Sequence, residues 1–444
     1  MKQLRADRLP ALQGPAAWNL ILGPAPERAP LTGARTADVV IVGAGFAGLS
    51  AARRLQQIDP HAAVPVLEAG RIAESSAGRN SGFMIDLPHD LASEDYAGAG
   101  DDRAMIALNR QAIAFAFGAV TEYQIDAHFF DRAGKVNGAA SATAHNQSYA
   151  AHLASLGEQC EMLDAQAMLQ LTGSRHYLGG LYTPGTVMLQ PAGYIRGLAA
   201  GLARGGVQIH EQSPVTALTR TGDSWTVTTP QGRVSAGRVI LTVNGHLESF
   251  GFEKGRLMQI FLYAVMTPEL NAEALARLGG QSRWGITPSD PMGTTVRRID
   301  SGQGGNRIVT RTCATLAPDR RIGPGHVLRA ARVMQQKFDA RFPQLRGMKM
   351  EHVWAGHLCL TLNGVAVMRK LDHGLYSGCV QNGLGTARGT LTGIGAAELA
   401  CGIDTDITRH FTAEAPPRRL PPQPFQQIGG NAVLRYKDWR ARHE

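Results

Sequence analysis

The sequence predicts an α/β protein of mixed α+β character, with a Rossmann-like dinucleotide-binding domain and a second domain built on an antiparallel sheet. Three observations carry this expectation. "VVIVGAGFAGLSAARRL" (39–55) reads as a buried apolar strand, a glycine turn and an amphipathic helix, the order that a parallel sheet covered by helices requires. "VQIHEQSPVTALTRTGDSWTVTTPQGRVSAGRVILTVNG" (207–245) consists of short alternating runs broken by TGD and PQG, a β-meander ending in a buried strand. Residues 258–315 are again strand-like, and "GLYSGCVQNGLGTARGTLTGIGAAELACG" from Gly374 closes the fold as strand, glycine loop and helix.

The remaining elements follow in order. Residues 1–36 hold Pro10, Pro15, Pro24, Pro26 and Pro30 and read as an irregular wrapping arm. The strand Asp38 to Val42 precedes a helix whose Leu49, Ala52 and Leu55 share one face. A second strand spans Ala63 to Ala69, with Pro65 tolerable near its start. From Asp101 to Leu171 the patterns are helical and alanine-rich. A helix from Gln190 ends at Gly205 and Gly206. Arg238 to Val243 is a buried strand, 324–342 a helix, and the tail, with "PPRRLPPQPF", is expected to be extended.

Composition bounds the function. The chain has 444 residues, enough for two domains, with 44% hydrophobic and 18% charged residues. No unbroken apolar stretch of about 20 residues is present, so no membrane partner is expected. The start, "MKQLRADRLP", lacks the apolar core of a signal peptide. Cys160, Cys313, Cys359, Cys379 and Cys401 show no CxxC spacing, which points away from a metal site and fits a reducing, cytoplasmic setting. The net charge of +9 is spread without a dense basic cluster or a nucleic-acid motif. A solvated basic surface, or a field that draws an anionic substrate, remains.

Gly43, Gly45 and Gly48 fit GxGxxG, with Phe46 and Ala47 inside the turn. The first glycine permits the tight turn, the second lets backbone approach a pyrophosphate, and the third lets helix and strand pack closely. The pyrophosphate would sit on the helix N-terminus, where unpaired N–H groups favour an anion. An ordinary βαβ turn can carry the same pattern, so the context matters. Glu68 ends the next strand twenty residues after Gly48, where a carboxylate accepts both ribose hydroxyls and repels a 2′-phosphate. Ala69 and Arg71 adjoin it and join the expected cofactor set.

The next stretch, "EAGRIAESSAGRNSGFM", resembles the FAD-dependent amine and amino-acid oxidoreductases of the D-amino-acid oxidase superfamily, nearest the glycine oxidase, sarcosine oxidase and γ-glutamylputrescine oxidase branch. The resemblance implies that Ser75, Ser76, Gly78, Arg79, Asn80, Ser81 and Gly82 lie against flavin and pyrophosphate. Hydroxyls, an Arg fork and small residues suit that task. It also matches "SPVTAL" to a strand whose backbone meets the adenine at Val215, and "VILTVNG" to a strand returning to the FAD near Asn244. "GCVQNGLGTARG" matches the loop that closes over the flavin pyrimidine with Asn382, Gly383, Gly385 and Thr386. The resemblance divides the chain into a discontinuous FAD domain (1–100, 187–250 and 350–415), a substrate domain (101–186 and 251–349) and a tail (416–444).

By resemblance the reaction oxidises the C–N bond of a small amine or amino acid to an imine, which hydrolyses to a carbonyl compound. O2 or another acceptor then reoxidises the flavin, and no obligatory side-chain base is expected. Two alternatives stay open at this point: a NAD-dependent dehydrogenase that uses only the first glycine turn, and a flavoprotein subunit without turnover of its own. Sarcosine oxidases carry a carboxylate-binding lysine where Ala387 stands here, which favours a different substrate, one with an acidic group away from the oxidised carbon. Tyr263, Arg298, Arg311, Trp354 and His357 are the candidate substrate contacts, the two arginines for an anionic group. Cys359 falls near the cysteine that some relatives link to the flavin; a buried, unlinked thiol is expected instead. His246 and His352 carry no expected role.

Overall fold

The computed structural model describes residues 2–11, 14–88, 100–290 and 292–444. The apolar run of the first motif forms the centre of a nine-stranded sheet. Gly33–Val42 pairs in parallel with Gly232–Leu241 on one side and with Val66–Leu67 on the other, and Ile209–His210 follows Val66–Leu67. Val39, Val40, Ile41 and Val42 are buried from both faces, which is why this strand is apolar without alternation. The helix Phe46–Ile58 covers one face and packs against the closing helix Ala387–Ala400. Leu375–Cys379 pairs in parallel with Gly232–Leu241, so strands from three distant parts of the chain meet here.

The meander Ala217–Thr221, Ser224–Thr228 and Gly232–Leu241 extends this sheet, and Lys2–Arg5 adds an edge strand to it. The wrapping arm therefore begins as a strand. A second, eight-stranded sheet runs in the order His352–Leu360, Met258–Met266, Arg307–Leu316, Thr295–Ile299, Trp284–Pro288, Lys135–Ala139, Gly179–Thr183 and Glu161–Asp164. The helix Pro324–Arg341 packs on one face of it through Ala330, Met334 and Phe338. Within the interval 350–415, His352–Leu360 hydrogen-bonds Met258–Met266 in the second sheet, and Val367–Asp372 and Leu375–Cys379 join the first.

Three expectations change. The region 101–171 is not helical throughout: Lys135–Ala139 and Glu161–Asp164, which hold one alanine between them, are strands because both pair with Gly179–Thr183. The strand expected over Ala63 to Ala69 narrows to Val66–Leu67. The tail is not extended throughout. After its prolines, Phe425–Arg440 forms a helix, held where Asn431 Nδ2 donates to Leu316 O and Asn431 Oδ1 accepts from Leu316 N, both at 3.0 Å. Asp102–Tyr123 is long and apolar enough to cross a membrane by length and composition; its Ile106, Ala112, Ala116 and Ala119 are buried, and it packs on Pro191–Arg204 and Ala387–Ala400.

Candidate cofactor and substrate site

One cavity of about 370 Å³ lies between the two sheets and collects most of the motifs. Its floor is the glycine turn. Gly43 has φ +104, and a Cβ there would sit 2.8 Å from Thr242 O. A Cβ on Gly48 would lie 1.8 Å from Gly43 O, so this glycine serves helix-on-strand contact and does not itself border the cavity. No side chain caps the helix at Gly45 and no acidic residue occupies its first turn. Its leading N–H groups therefore suit an anion in the cavity.

Glu68 ends its strand at the same rim. Its carboxylate accepts the N–H groups of Ala44 (2.8 Å) and Gly70 (3.1 Å), and burial raises its pKa. Ala69 borders the cavity as well, whereas Arg71 turns to the surface and pairs with Glu27 at 2.6 Å. Val215 and Asn244 line the cavity, and Asn244 Oδ1 is buried with no hydrogen-bond partner.

Ser75, Ser76, Asn80, Ser81 and Gly82 form the next wall. Arg79 reaches it too, but its fork is already occupied. Nε donates to Glu74 O, Nη1 to Ala355 O and Nη2 to Gly14 O. Arg79 thus ties this loop to the second sheet and the N-terminal arm while bordering the cavity. Burial lowers its pKa to about 10. Ser76 Oγ donates to His357 O, and Asn80 Oδ1 accepts from Gly82 N, so the loop is shaped before any ligand arrives. Gly383, Gly385 and Thr386 also border the cavity, Thr386 Oγ1 donates to Phe83 O at 2.7 Å, and a Cβ on either glycine would meet nothing within 4 Å. Asn382 stands behind them: its side chain bonds Thr361 N, Gly364 O and Val365 O and fixes the loop from outside.

The second sheet closes the cavity, and strand parity decides which side chains reach it. Arg311 lines it and lies opposite Thr295 and Ala264 in the ladders. Thr295 and Thr287 line it as well, and Thr295 Oγ1 is buried without a partner. Arg298 does not reach it. Its Nη1 donates to Gly279 O at 2.5 Å and its strand position faces Trp284, on the far side of the sheet. Its expected role is corrected accordingly. Arg297, its neighbour, points inward and donates to Ser81 O and Leu189 O.

Tyr263, Trp354 and His357 each make hydrogen bonds within the protein. Tyr263 borders the cavity, but its ring packs with Phe261, Ala330 and Met334 and its hydroxyl donates to Thr315 Oγ1 at 2.9 Å. Trp354 does not line the cavity; its indole N–H donates to Arg79 O. His357 does line it, in a buried row that sequence reasoning missed. Gln259 Nε2 donates to the Glu248 carboxylate and to Gly245 O, leaving Gln259 Oε1 to accept from His357 Nε2 at 2.8 Å. Burial lowers the pKa of His357 to about 3, and that of His246 beside it to about 4, aided by the Arg320 charge. Cys359 is buried and its thiol pKa is raised well above the ordinary value, so the thiolate that a covalent link needs is disfavoured. Ala6, Arg8, Leu9, Pro10 and Ala11 also line the cavity, a contribution of the arm with no motif to announce it.

The residues fit FAD: an uncapped helix N-terminus, a buried carboxylate at the end of the second strand, an orphaned Asn244 oxygen and two glycines facing open space. Comparison with known proteins agrees. A family model described as "FAD dependent oxidoreductase" matches residues 38–400. "Gamma-glutamylputrescine oxidoreductase" of Escherichia coli (strain K12) is 28% identical over 409 residues, covering 88% of each chain. "Probable oxidoreductase OrdL" of Haemophilus influenzae is 25% identical over 391 residues, 85% of this chain and 86% of that one. In structure the chain is similar to glycine oxidase from Geobacillus kaustophilus, with a TM-score of 0.67 at 18% identity, over 84% of this chain and 96% of the other. L-Amino acid deaminase from Proteus myxofaciens gives 0.67 at 13% identity, over 91% and 96%.

Proposed function

From the premise that this chain belongs to the FAD-dependent oxidoreductase family, and so is an FAD enzyme acting on amines or amino acids, we propose that it oxidises a C–N bond in a substrate with an acidic group set apart from the oxidised carbon. The NAD-dependent alternative falls with the family match. The observation that carries the proposal is the opposition of two walls across one cavity. The glycine turn, Glu68 and the Gly383–Thr386 loop lie on one side, and Arg311 with the unpartnered Thr295 hydroxyl on the other.

FAD, when bound, supplies a two-electron acceptor for the substrate's C–H bond. The chain's own residues bind and orient. The helix N-terminus at Gly45 and the Glu68 carboxylate suit the pyrophosphate and ribose. Arg311 presents a planar fork that matches a carboxylate or phosphonate, and Thr295 adds a hydroxyl donor beside it. His246 and His357 are neutral at pH 7, so they add no positive charge that would repel a protonated amine. The γ-glutamylputrescine relative acts on an amine that carries such a distant acidic group, which supports this substrate class. We take O2 as the acceptor that returns the flavin to its oxidised form.

The test is anaerobic mixing of the purified yellow protein with ω-amino acids, γ-glutamyl amines, aminophosphonates and neutral amines, following flavin absorbance. Bleaching by the acidic amines ahead of neutral analogues is expected. No bleaching by any of them would favour a flavoprotein subunit without turnover, and air reoxidation with peroxide release would distinguish O2 from another acceptor.

A further inference from the structure

The tail helix Phe425–Arg440 is held by one face and largely exposed on the other, where the Arg442 guanidinium lies 4.5 Å from the centre of the Trp439 ring. On its inner side a Cβ at Gly430 would lie 2.3 Å from Leu316, Asn431 bonds the Leu316 backbone, and Leu434 packs beside Leu316. Farther along, Lys337 Nζ donates to Ala441 O (3.2 Å) and Glu444 O (3.0 Å), and the Glu444 carboxylate accepts from Ala140 N and Ser141 N. Outward, Phe425 is 71% exposed, Ile428 68%, Tyr436 58% and Trp439 59%. Tyr436 and Trp439 stack with ring centroids 6.2 Å apart. An anchored helix that shows three aromatic rings to solvent is a built surface, since lone exposed apolar residues are ordinary but a contiguous stripe is not.

The stripe mirrors itself. Phe425 and Trp439 lie seven residues either side of Ala432, and Ile428 and Tyr436 lie four either side. We propose that this face pairs antiparallel with the same face of a second copy of the chain, on a two-fold axis at Ala432. Each Phe425 then meets the other copy's Trp439, and each Ile428 its Tyr436. Such reciprocity is what a two-fold interface demands, where residue i contacts j and j contacts i. Small residues at the centre, Gly429 and Ala432, let the helices approach closely.

Charge selects the antiparallel orientation. Arg440 stands eight residues from the centre and Arg435 three, so the two copies of each lie about 24 Å and about 9 Å apart along the axis, against a screening length of about 8–10 Å. In a parallel pair they would stand level and repel. Area agrees as well: three aromatic side chains and Ile428 on each copy cover about 1,000 Å² together, the lower bound of a specific interface. A lipid surface would use the same apolar groups, but it has no need of a mirrored register.

Sedimentation velocity of the FAD-loaded protein tests the pairing, alongside disulfide cross-linking of Ala432→Cys with Cys160 and Cys401 replaced by Ser. A dimer at micromolar concentration is expected. Phe425→Ala and Trp439→Ala should each weaken it at least about tenfold while leaving bound flavin and amine oxidation unchanged. Ala432→Cys should cross-link at least about tenfold faster than Val433→Cys, which sits on the flank. A monomeric wild-type protein, a dimer indifferent to both alanine variants, or equal cross-linking at 432 and 433 would overturn the proposal. So would a monomer that cosediments with vesicles of phosphatidylglycerol and phosphatidylcholine through Phe425 and Trp439.

Discussion

Arg297 and Arg298, adjacent on the strand Thr295–Ile299, send their guanidinium groups to opposite faces of one sheet. Arg297 Nη1 donates to Ser81 O (2.9 Å) and Leu189 O (2.6 Å), and Nη2 to Gln303 Oε1 (3.0 Å). Trp18 and Phe83 flank it, and burial lowers its pKa to about 9. Arg298 holds Gly279 O. Arg297→Lys is expected to destabilise the protein by about 2 kcal/mol, because a point charge cannot serve three acceptors in one plane. It should also loosen flavin through the Ser81 loop. Arg298→Lys should leave the ratio of kcat/KM for acidic and neutral amines unchanged, and a change in that ratio would return Arg298 to the substrate site.

Arg311 and Thr295 carry the substrate prediction. Arg311→Lys should lower kcat/KM for an acidic amine by about tenfold or more, about 1.4 kcal/mol, with a smaller effect on a neutral analogue. Thr295→Val, nearly the same shape without the hydroxyl, should act in the same direction and more weakly. Equal losses on both substrates would mean that these side chains shape the sheet and do not read the acidic group.

Glu68 is tested through the cofactor. The carboxylate holds Ala44 and Gly70 backbone amides and faces the expected ribose, so Glu68→Gln removes a charge-assisted bond worth about 1.5–3 kcal/mol. Reconstitution of the apoprotein should show FAD affinity reduced by about tenfold or more. Unchanged affinity would move the ribose away from Glu68.

The two buried histidines set an acid limit. Their folded pKa values, about 3 for His357 and about 4 for His246, lie below the ordinary 6.5. Between those values the unfolded chain binds protons that the native protein refuses. Stability is therefore full above pH 6.5 and falls as pH drops through about 4 toward about 3. His246→Asn should flatten that fall, read as urea midpoints at pH 7, 6 and 5, and an identical slope in the variant would assign acid sensitivity to other groups.

Cys359 should remain unlinked. Acid precipitation of the yellow protein is expected to leave a colourless pellet and free FAD in solution, whereas a yellow pellet would show a covalent flavin.

The glycine turn and Glu68 were legible in the sequence because their constraints are local, and the Ser75–Gly82 and Gly383–Thr386 loops were reached through the family resemblance. A positive φ, a close backbone approach or a carboxylate at a strand end can be read from a few consecutive residues. The mixed α/β class was legible for the same reason, from hydrophobic period and turn residues. Tertiary structure alone decided which arginine faces the cavity. In a strand, one residue of register exchanges the two faces, and the ladder of Thr295 with Arg311 that sets the register joins segments far apart in the chain. It also decided that Arg79 spends its donors on carbonyls, that the arm at Arg8 to Ala11 lines the cavity, and that the tail past its prolines is a helix. Each of these depends on partners brought in from distant segments, Ala355, Asp319 and Leu316 among them, and no local pattern encodes a contact whose other half lies more than a hundred residues away.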